Sequence, residues 1–168
     1  MRCSIVLLLL LCGCPADRDQ VTSVGSDNPA MNAAIAEAKQ SLGSFRSALL
    51  IPPKGSSAFA VKKGFPVADG KDTVEHIWIN NVRIDGTNFV GTLGNDPVNN
   101  LSLRFGQRVT VASEDVSDWM YLVPDGGKGP RLVGGFSIFA LYEVADEAER
   151  ERMRAAIPFD ITGRPVTK

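Results

Sequence analysis

The sequence predicts an α+β domain, in which an N-terminal amphipathic helix packs on a strongly bent, mainly antiparallel sheet, with a short C-terminal helix. Apolar residues recur at steps of three and four over residues 28–50. Strand-like segments with intervening glycine-containing turns fill residues 58–142, and Asp146 opens a polar segment with a capping-box spacing. A chain of 168 residues, 44% of them hydrophobic, is long enough to bury one such core.

The first helix has clear signals at both ends. Asp27 and Asn28 are capping residues placed before Pro29, which suits a first helical turn. Pro52 and Pro53 end the helix near Leu50. One face carries the apolar residues Met31, Ile35, Ala38, Leu42, Phe45 and Leu49.

The middle of the chain is predicted to be β-structure. Asp85 and Gly86 join two strands as a hairpin, because Asp-Gly suits a type I′ turn. The last helix is predicted to begin at Asp146, with Glu149 three residues on, and to end at Pro158. The predicted strands are Ala58–Phe65, Thr73–Ile84, Thr87–Leu93, Leu101–Phe105, Gln107–Ala112, Val116–Val123 and Arg131–Tyr142.

The N-terminus is typical of an export signal. The apolar run 5–11 is shorter than the roughly 20 residues of a membrane-spanning helix. Its end, Leu11-Cys12-Gly13-Cys14, resembles the bacterial lipobox, and this resemblance implies cleavage before Cys14 and acylation of that cysteine. The alternative is a plain secretory signal. We therefore expect a signal peptide at 1–13, a tether at 14–27, a domain at 28–160 and a frayed tail at 161–168.

The same resemblance predicts where the protein resides. We expect it in the bacterial cell envelope, held at the membrane through acylated Cys14. Pro15 is not the aspartate that retains enterobacterial lipoproteins at the inner membrane. The expected place is therefore the periplasmic side of the outer membrane, where the organism has one.

Composition excludes several functional classes. The 18 basic and 19 acidic residues argue against nucleic acid as a partner. All three cysteines lie in the first fourteen residues, so we expect no disulfide, cysteine nucleophile or cysteine metal site in the domain. With a single histidine besides, we expect no metal site and no cofactor.

The segment Glu75-His76-Ile77-Trp78 carries the main candidate site. Strand alternation places His76 and Trp78 on one face, with Glu75 on the other. His76 is a possible general base, and Asp118 is its best carboxylate partner. The alternative is a structural histidine that is hydrogen-bonded across the sheet.

Other polar positions allow two interpretations each. Lys62 or Lys63 could meet an anionic ligand, or both could be edge lysines that discourage strand pairing. The turn at Asn95 could bind a ligand or be an Asx turn. The glycine-rich segment 125–129 lacks P-loop spacing and is predicted to be a hairpin loop, and Ser137 lacks the nucleophile-elbow motif.

Several segments together resemble one bacterial family, the domain of unknown function 2314. They are FAVKKGF, EHIW, GTLGNDP, LRFGQRVTV and VSDWMY, and the resemblance covers roughly residues 27–142. It implies a compact α+β domain that is sometimes found on exported proteins, and it supplies no catalytic residues. The matching positions that could line a site are Glu75, His76, Trp78, Asn95, Pro97, Asp118 and Trp119.

These observations favour an envelope lipoprotein whose domain binds a small-molecule ligand or a protein. The alternative is an envelope hydrolase that uses His76 and Asp118 as an acid/base pair. A third class is an immunity-like or assembly protein, which would expose an apolar patch. The candidate binding residues are Glu75, His76, Trp78, Asn95, Asp118 and Trp119.

Overall fold

A computed structural model describes residues 28–67, 74–98, 100, 102–126, 129–157 and 159. It confirms the α+β class: one six-stranded antiparallel sheet is combined with three α-helices in the described part of the chain. The elements are α1 (Pro29–Leu50), β1 (Ser57–Pro66), β2 (Val74–Asp85), β3 (Asn88–Leu93), β4 (Arg108–Val111), β5 (Val116–Pro124), β6 (Pro130–Gly134), α2 (Phe136–Val144) and α3 (Glu147–Ala156). The strand order is β4-β3-β2-β1-β5-β6.

Both predicted helix starts are confirmed by their caps. The Asn28 side chain accepts hydrogen bonds from the backbone N–H groups of Ala30 and Met31, at 2.9 and 3.1 Å. At α3, the Asp146 carboxylate accepts from the Glu149 N–H at 2.8 Å. These local signals depend on a few neighbouring residues, so the sequence alone contains them.

The β2–β3 hairpin forms, with a shifted turn. Asp85 and Asn88 are paired, so the two loop residues are Gly86 and Thr87 rather than Asp85 and Gly86. Only Gly86 has a positive φ, at +60°. A type I′ turn needs two such residues, whereas a type II′ turn needs one at its first central position. The prediction of a type I′ turn is therefore wrong, and the turn lies one residue later in the chain than predicted.

The predicted strand Arg131–Tyr142 is also wrong in its second half. β6 ends at Gly134, and α2 begins at Phe136. Gly134 and Gly135 have φ of +76° and +74°, which turns the chain sharply out of the sheet. Helix α2 buries residues on several sides, so it lacks the one-sided apolar pattern that predicts a helix. Its apolar run therefore resembles a buried strand.

A second predicted strand, Leu101–Phe105, is not formed by the described residues 102–105. Gly106, with φ of +75°, instead turns this segment into β4. The Phe105 N–H donates to the Asp96 carboxylate at 2.8 Å, and the Gly106 N–H donates to the Leu93 carbonyl at 2.9 Å. These long-range hydrogen bonds hold a loop where the local pattern favoured a strand.

The main core lies between α1 and one face of the sheet. Phe45 of α1 is fully buried, with its ring centroid 5.4 Å from that of Trp119 and 5.7 Å from that of Phe89. A smaller apolar cluster, around Leu132 and Phe139, packs against residues of α3. None of the described helices combines the length and apolar character needed to cross a membrane.

Candidate functional site

The two faces of β2 differ as strand alternation predicts. Ile77 and Ile79 are buried in the main core with α1. His76 is exposed and Trp78 half-buried on the opposite face. Because side chains alternate along a strand, this second face carries the polar and aromatic residues of β2 that lie outside the main core.

Lys62 of β1 lies between Trp78 and Asp118 in the sheet. It is the register partner of Trp78 on β2 and of Asp118 on β5. Its ammonium lies 5.3 Å from the Trp78 ring centroid and donates a hydrogen bond to Ser137 Oγ at 3.2 Å. Burial lowers the pKa of Lys62, and the charge of Asp118 acts in the opposite direction.

The edge-lysine interpretation is wrong, because β1 is an interior strand of the sheet. Lys63 points away from Lys62 and forms an ion pair with Asp115, with 2.6 Å between Nζ and Oδ2. Only one of the two consecutive lysines therefore belongs to the candidate site, as alternation requires.

Asp118 is fully buried and caps α2 from the neighbouring strand. Its carboxylate accepts hydrogen bonds from the N–H groups of Trp119, Phe136 and Ser137, at 2.7, 3.2 and 2.8 Å. Ser137 Oγ donates a fourth, at 2.6 Å. Burial raises the pKa of Asp118, while these hydrogen bonds and the Lys62 charge oppose the rise. A carboxylate at a helix N-terminus also complements the helix dipole.

His76 reaches across β1 to β5. Its Nδ1 lies 2.9 Å from Ser117 Oγ, and that hydroxyl donates to the Lys62 carbonyl at 3.2 Å. Gly64 is the register partner of His76 and has no side chain to block this path. A Cβ at Gly64 would lie 3.3 Å from two atoms of the imidazole ring. Burial and the positive charge of Lys62 both lower the pKa of His76.

An irregularity in strand pairing brings Ser117 to His76. Lys62 pairs with Asp118 and Lys63 pairs with Val116, so one residue of β5, Ser117, is left without a partner in this register. The result is a continuous set of contacts across three strands and the start of α2. We call it the sheet-face cluster; its members are Lys62, His76, Trp78, Ser117, Asp118 and Ser137.

The proposed acid/base pair is not joined by a hydrogen bond among the described contacts. His76 bonds to Ser117, while Asp118 is occupied by Trp119, Phe136 and Ser137. The cross-sheet hydrogen bond of His76 matches the structural interpretation of this residue. The acid/base role stays a prediction.

Two other predicted site residues lie in a separate region. The Glu75 carboxylate accepts from the N–H groups of Val98 and Asn100, at 2.6 and 3.2 Å. Glu75 therefore ties the loop after β3 to β2. Asn95 lies in this loop, half-buried, and its amide donates to the Asp96 carbonyl at 3.2 Å. A binding role for either residue stays a prediction.

Trp119, the third candidate outside the cluster, lies in the main core. It is fully buried, and its indole N–H donates to the Ala38 carbonyl at 3.0 Å. This contact fastens α1 to β5. Trp119 thus stabilises the fold from the face opposite Trp78.

Sequence reasoning missed three contributors, Gly64, Ser117 and Ser137. Strand alternation could have indicated Gly64, since it lies two residues from Lys62 and therefore on the same face of the strand. Ser117 and Ser137 had none, because their contacts depend on an irregular register and on a helix that the pattern concealed. Within the described part of the chain, no group of three or more His, Cys, Asp and Glu side chains is arranged to hold a metal.

Comparison with known proteins places this domain in a family. The model of the family described as "Uncharacterized protein conserved in bacteria (DUF2314)" matches residues 28–161. The chain is 31% identical to the uncharacterized protein YegJ of Escherichia coli K12 over 139 residues, which cover 83% of this chain and 84% of YegJ.

A second relative is the putative ankyrin repeat protein NMB1133/NMB1171 of Neisseria meningitidis serogroup B. It is 34% identical over 107 residues, which cover 61% of this chain and 39% of that protein. No solved structure matches this chain significantly. The family match spans more than half of the residues and includes every member of the sheet-face cluster, so the chain belongs to the DUF2314 family of bacterial proteins.

Proposed function

We propose that this protein is an envelope lipoprotein whose domain binds a ligand through the sheet-face cluster. One observation carries the binding proposal: Lys62, His76 and Trp78 occupy adjacent positions on the face of the sheet opposite α1, where His76 and Trp78 remain partly exposed. An ammonium, an imidazole and an indole together offer hydrogen bonding and an apolar surface. Ligand sites commonly combine a few polar groups with such a surface.

Hydrogen bonds to neighbouring side chains hold Lys62 and His76 in place. Asp118 and Ser137 hold Lys62 from the α2 side, and Ser117 holds His76 from β5. Preorganised side chains lose less conformational entropy when a ligand binds. The arrangement therefore favours a binding module over the hydrolase alternative, because both Asp118 oxygens already accept hydrogen bonds within the domain.

The binding proposal is tested by a ligand screen with tryptophan and histidine readouts. The chain has two tryptophans and one histidine, so the signals of Trp78 and His76 are simple to assign. We expect at least one member of a diverse library of small molecules and peptides to shift both signals, and Trp78→Ala to weaken the binding that the His76 signal reports. The exposed Phe105, outside the cluster, provides the matched control Phe105→Ala. A library that leaves both signals unchanged contradicts the proposal.

The envelope location is supported by Leu11-Cys12-Gly13-Cys14, which lies outside the described residues. Two or more acyl chains on Cys14 would hold the domain at a membrane, because each buried CH₂ contributes about 0.8 kcal/mol. We expect the full chain to incorporate labelled palmitate and Cys14→Ser to lose it. Cys12→Ser is the matched control and should keep the label. Equal labelling of wild type and Cys14→Ser contradicts lipidation at this residue.

A further inference from the structure

The hydrogen bonds of Ser117 indicate which nitrogen of His76 carries the proton. A carbonyl oxygen only accepts, so the hydrogen bond between Ser117 and the Lys62 carbonyl uses the one hydrogen of the Ser117 hydroxyl. With that hydrogen bond formed, the same oxygen accepts from His76 Nδ1, which is then the N–H of the ring. A neutral imidazole has one N–H, so Nε2 of His76 carries a lone pair and acts as an acceptor.

The neighbouring strand supplies a donor on the same face, since Lys62 lies two residues from Gly64, the register partner of His76. Burial lowers the pKa of His76 and the charge of Lys62 lowers it further, which favours the neutral ring. Lys62 Nζ has three hydrogens, and Ser137 Oγ accepts one of them. The site therefore presents an acceptor on His76 and a donor on Lys62.

Trp78 adds an apolar surface next to the two polar groups. It is two residues from His76 on the same face of β2, about 7 Å along the strand. It is also the direct partner of Lys62 on β1. Acceptor, donor and indole thus lie at neighbouring positions of β1 and β2 on one face of the sheet.

This combination discriminates between ligand classes. A carboxylate or phosphate only accepts hydrogen bonds, so it would suit Lys62 and oppose the lone pair of His76 Nε2. An amine would suit His76 and be repelled by Lys62. A hydroxyl group both donates and accepts, and a pyranose has adjacent hydroxyls and C–H groups that can lie on an indole. We propose that Lys62, His76 and Trp78 bind a neutral pyranose unit of a saccharide.

This inference rests on the proposed ligand-binding function, and its test begins with the tautomer. In ¹⁵N spectra of the His76 ring at neutral pH, we expect the proton on Nδ1 and the unprotonated nitrogen at Nε2. Ser117→Ala removes the acceptor for Nδ1–H, so we expect it to mix the two tautomers. A ring protonated at Nε2 in the wild-type protein would overturn the inference.

Binding is then measured by calorimetry and by the Trp78 and His76 signals. The probes are tetrasaccharides of glucose and of N-acetylglucosamine, with acetate and inorganic phosphate at equal ionic strength as comparisons. We expect a tetrasaccharide to bind and shift both signals, and the two anions to do neither. Trp78→Ala should weaken saccharide binding by about three- to tenfold, while Phe105→Ala should leave it unchanged. Trp78→Tyr keeps an aromatic surface and should retain part of the affinity.

The outcomes separate this inference from the proposed function. Binding of an anion in place of the saccharides, with a dependence on Trp78, would overturn the pyranose assignment and leave the ligand site standing. Saccharide binding that is equally strong in Trp78→Ala would overturn the assignment of these residues. If neither these probes nor any member of the diverse library shifts the two signals, both proposals are contradicted.

Discussion

The two faces of the sheet use the same residue types for different purposes. On the α1 face, Trp119 is fully buried and its indole N–H is fixed by the Ala38 carbonyl. On the opposite face, Trp78 is half-buried and lies beside the ammonium of Lys62. The face on which an aromatic residue of a strand lies therefore decides its role, because a fully buried ring cannot meet a ligand.

Glycines show the same difference between the faces. Gly134 lies against the backbone and indole of Trp119, in a left-handed conformation with φ of +76°. Gly64 lies under the ring of His76, where the nearest atoms belong to a side chain that can shift. The close contact at Gly134 therefore involves backbone and tightly packed indole atoms, whereas the close contact at Gly64 involves a side chain that can move.

The largest expected effect is that of Gly134→Ala. Its Cβ would lie 2.5 Å from Cε3 of Trp119, and the left-handed conformation adds strain. We expect a loss of more than about 3 kcal/mol in the free energy of unfolding, measured by urea denaturation. Gly43→Ala is the matched control, because Gly43 lies in α1 with nothing near its Cβ position. It should raise the free energy of unfolding by about 0.5–1 kcal/mol. Equal effects at both glycines would contradict the rigid packing around Trp119.

Replacing each tryptophan by alanine tests whether the two faces of the sheet contribute differently to stability. Trp119→Ala leaves a cavity among Phe45, Tyr121 and Phe136 and removes the bond to α1, so we expect a loss of about 3–5 kcal/mol. Trp78→Ala removes a half-buried ring, and we expect a loss below about 1.5 kcal/mol. Urea denaturation followed by circular dichroism measures both. A larger loss at Trp78 would reverse the roles that we assign to the two faces.

The smallest expected effect is the pH dependence that comes from His76. Its pKa is lowered below the ordinary 6.5 by burial and by Lys62 on β1, while Asp118 of β5 faces Lys62. The unfolded chain therefore binds the proton more tightly, so His76 favours the folded state above pH 6.5 and this contribution is lost as pH falls through the folded pKa.

Nuclear magnetic resonance of the single histidine checks this sign. We expect the titration midpoint of His76 to lie below that of a histidine in an unstructured peptide, and Lys62→Met to raise it. His76→Gln should remove the matching fall in unfolding free energy at mildly acidic pH. A midpoint at or above the ordinary value would contradict the lowered pKa of His76, and an unchanged midpoint in Lys62→Met would show that Lys62 does not act on the ring.

Much of the architecture could be predicted because its signals are local. The Asn28 cap, the double proline after α1 and the Asp146 cap each depend on residues close in sequence. Alternation likewise placed His76 and Trp78 together on one face of β2. The hairpin was predicted correctly, but its turn type was wrong. Gly86 fits either turn, and the pairing of Asp85 with Asn88 selects the register.

The candidate site could be predicted only in part. His76, Trp78 and Asp118 were identified from residue type and position, while the contacts that join them to Ser117 and Ser137 were not. Those contacts join segments 41 and 19 residues apart in the chain. The periodicity of apolar residues within one segment does not indicate which distant segments come into contact.

Local patterns in the chain were enough to predict the α+β class, the ends of α1, the start of α3 and the faces of β2. Packing of distant segments was needed to place α2 after β6, to bring Asp118 to the start of this helix, and to join His76 to Ser117 across β1. Caps and strand alternation arise between residues that are near in sequence. A buried helix, an irregular strand register and a cross-sheet hydrogen bond arise only when distant segments pack together.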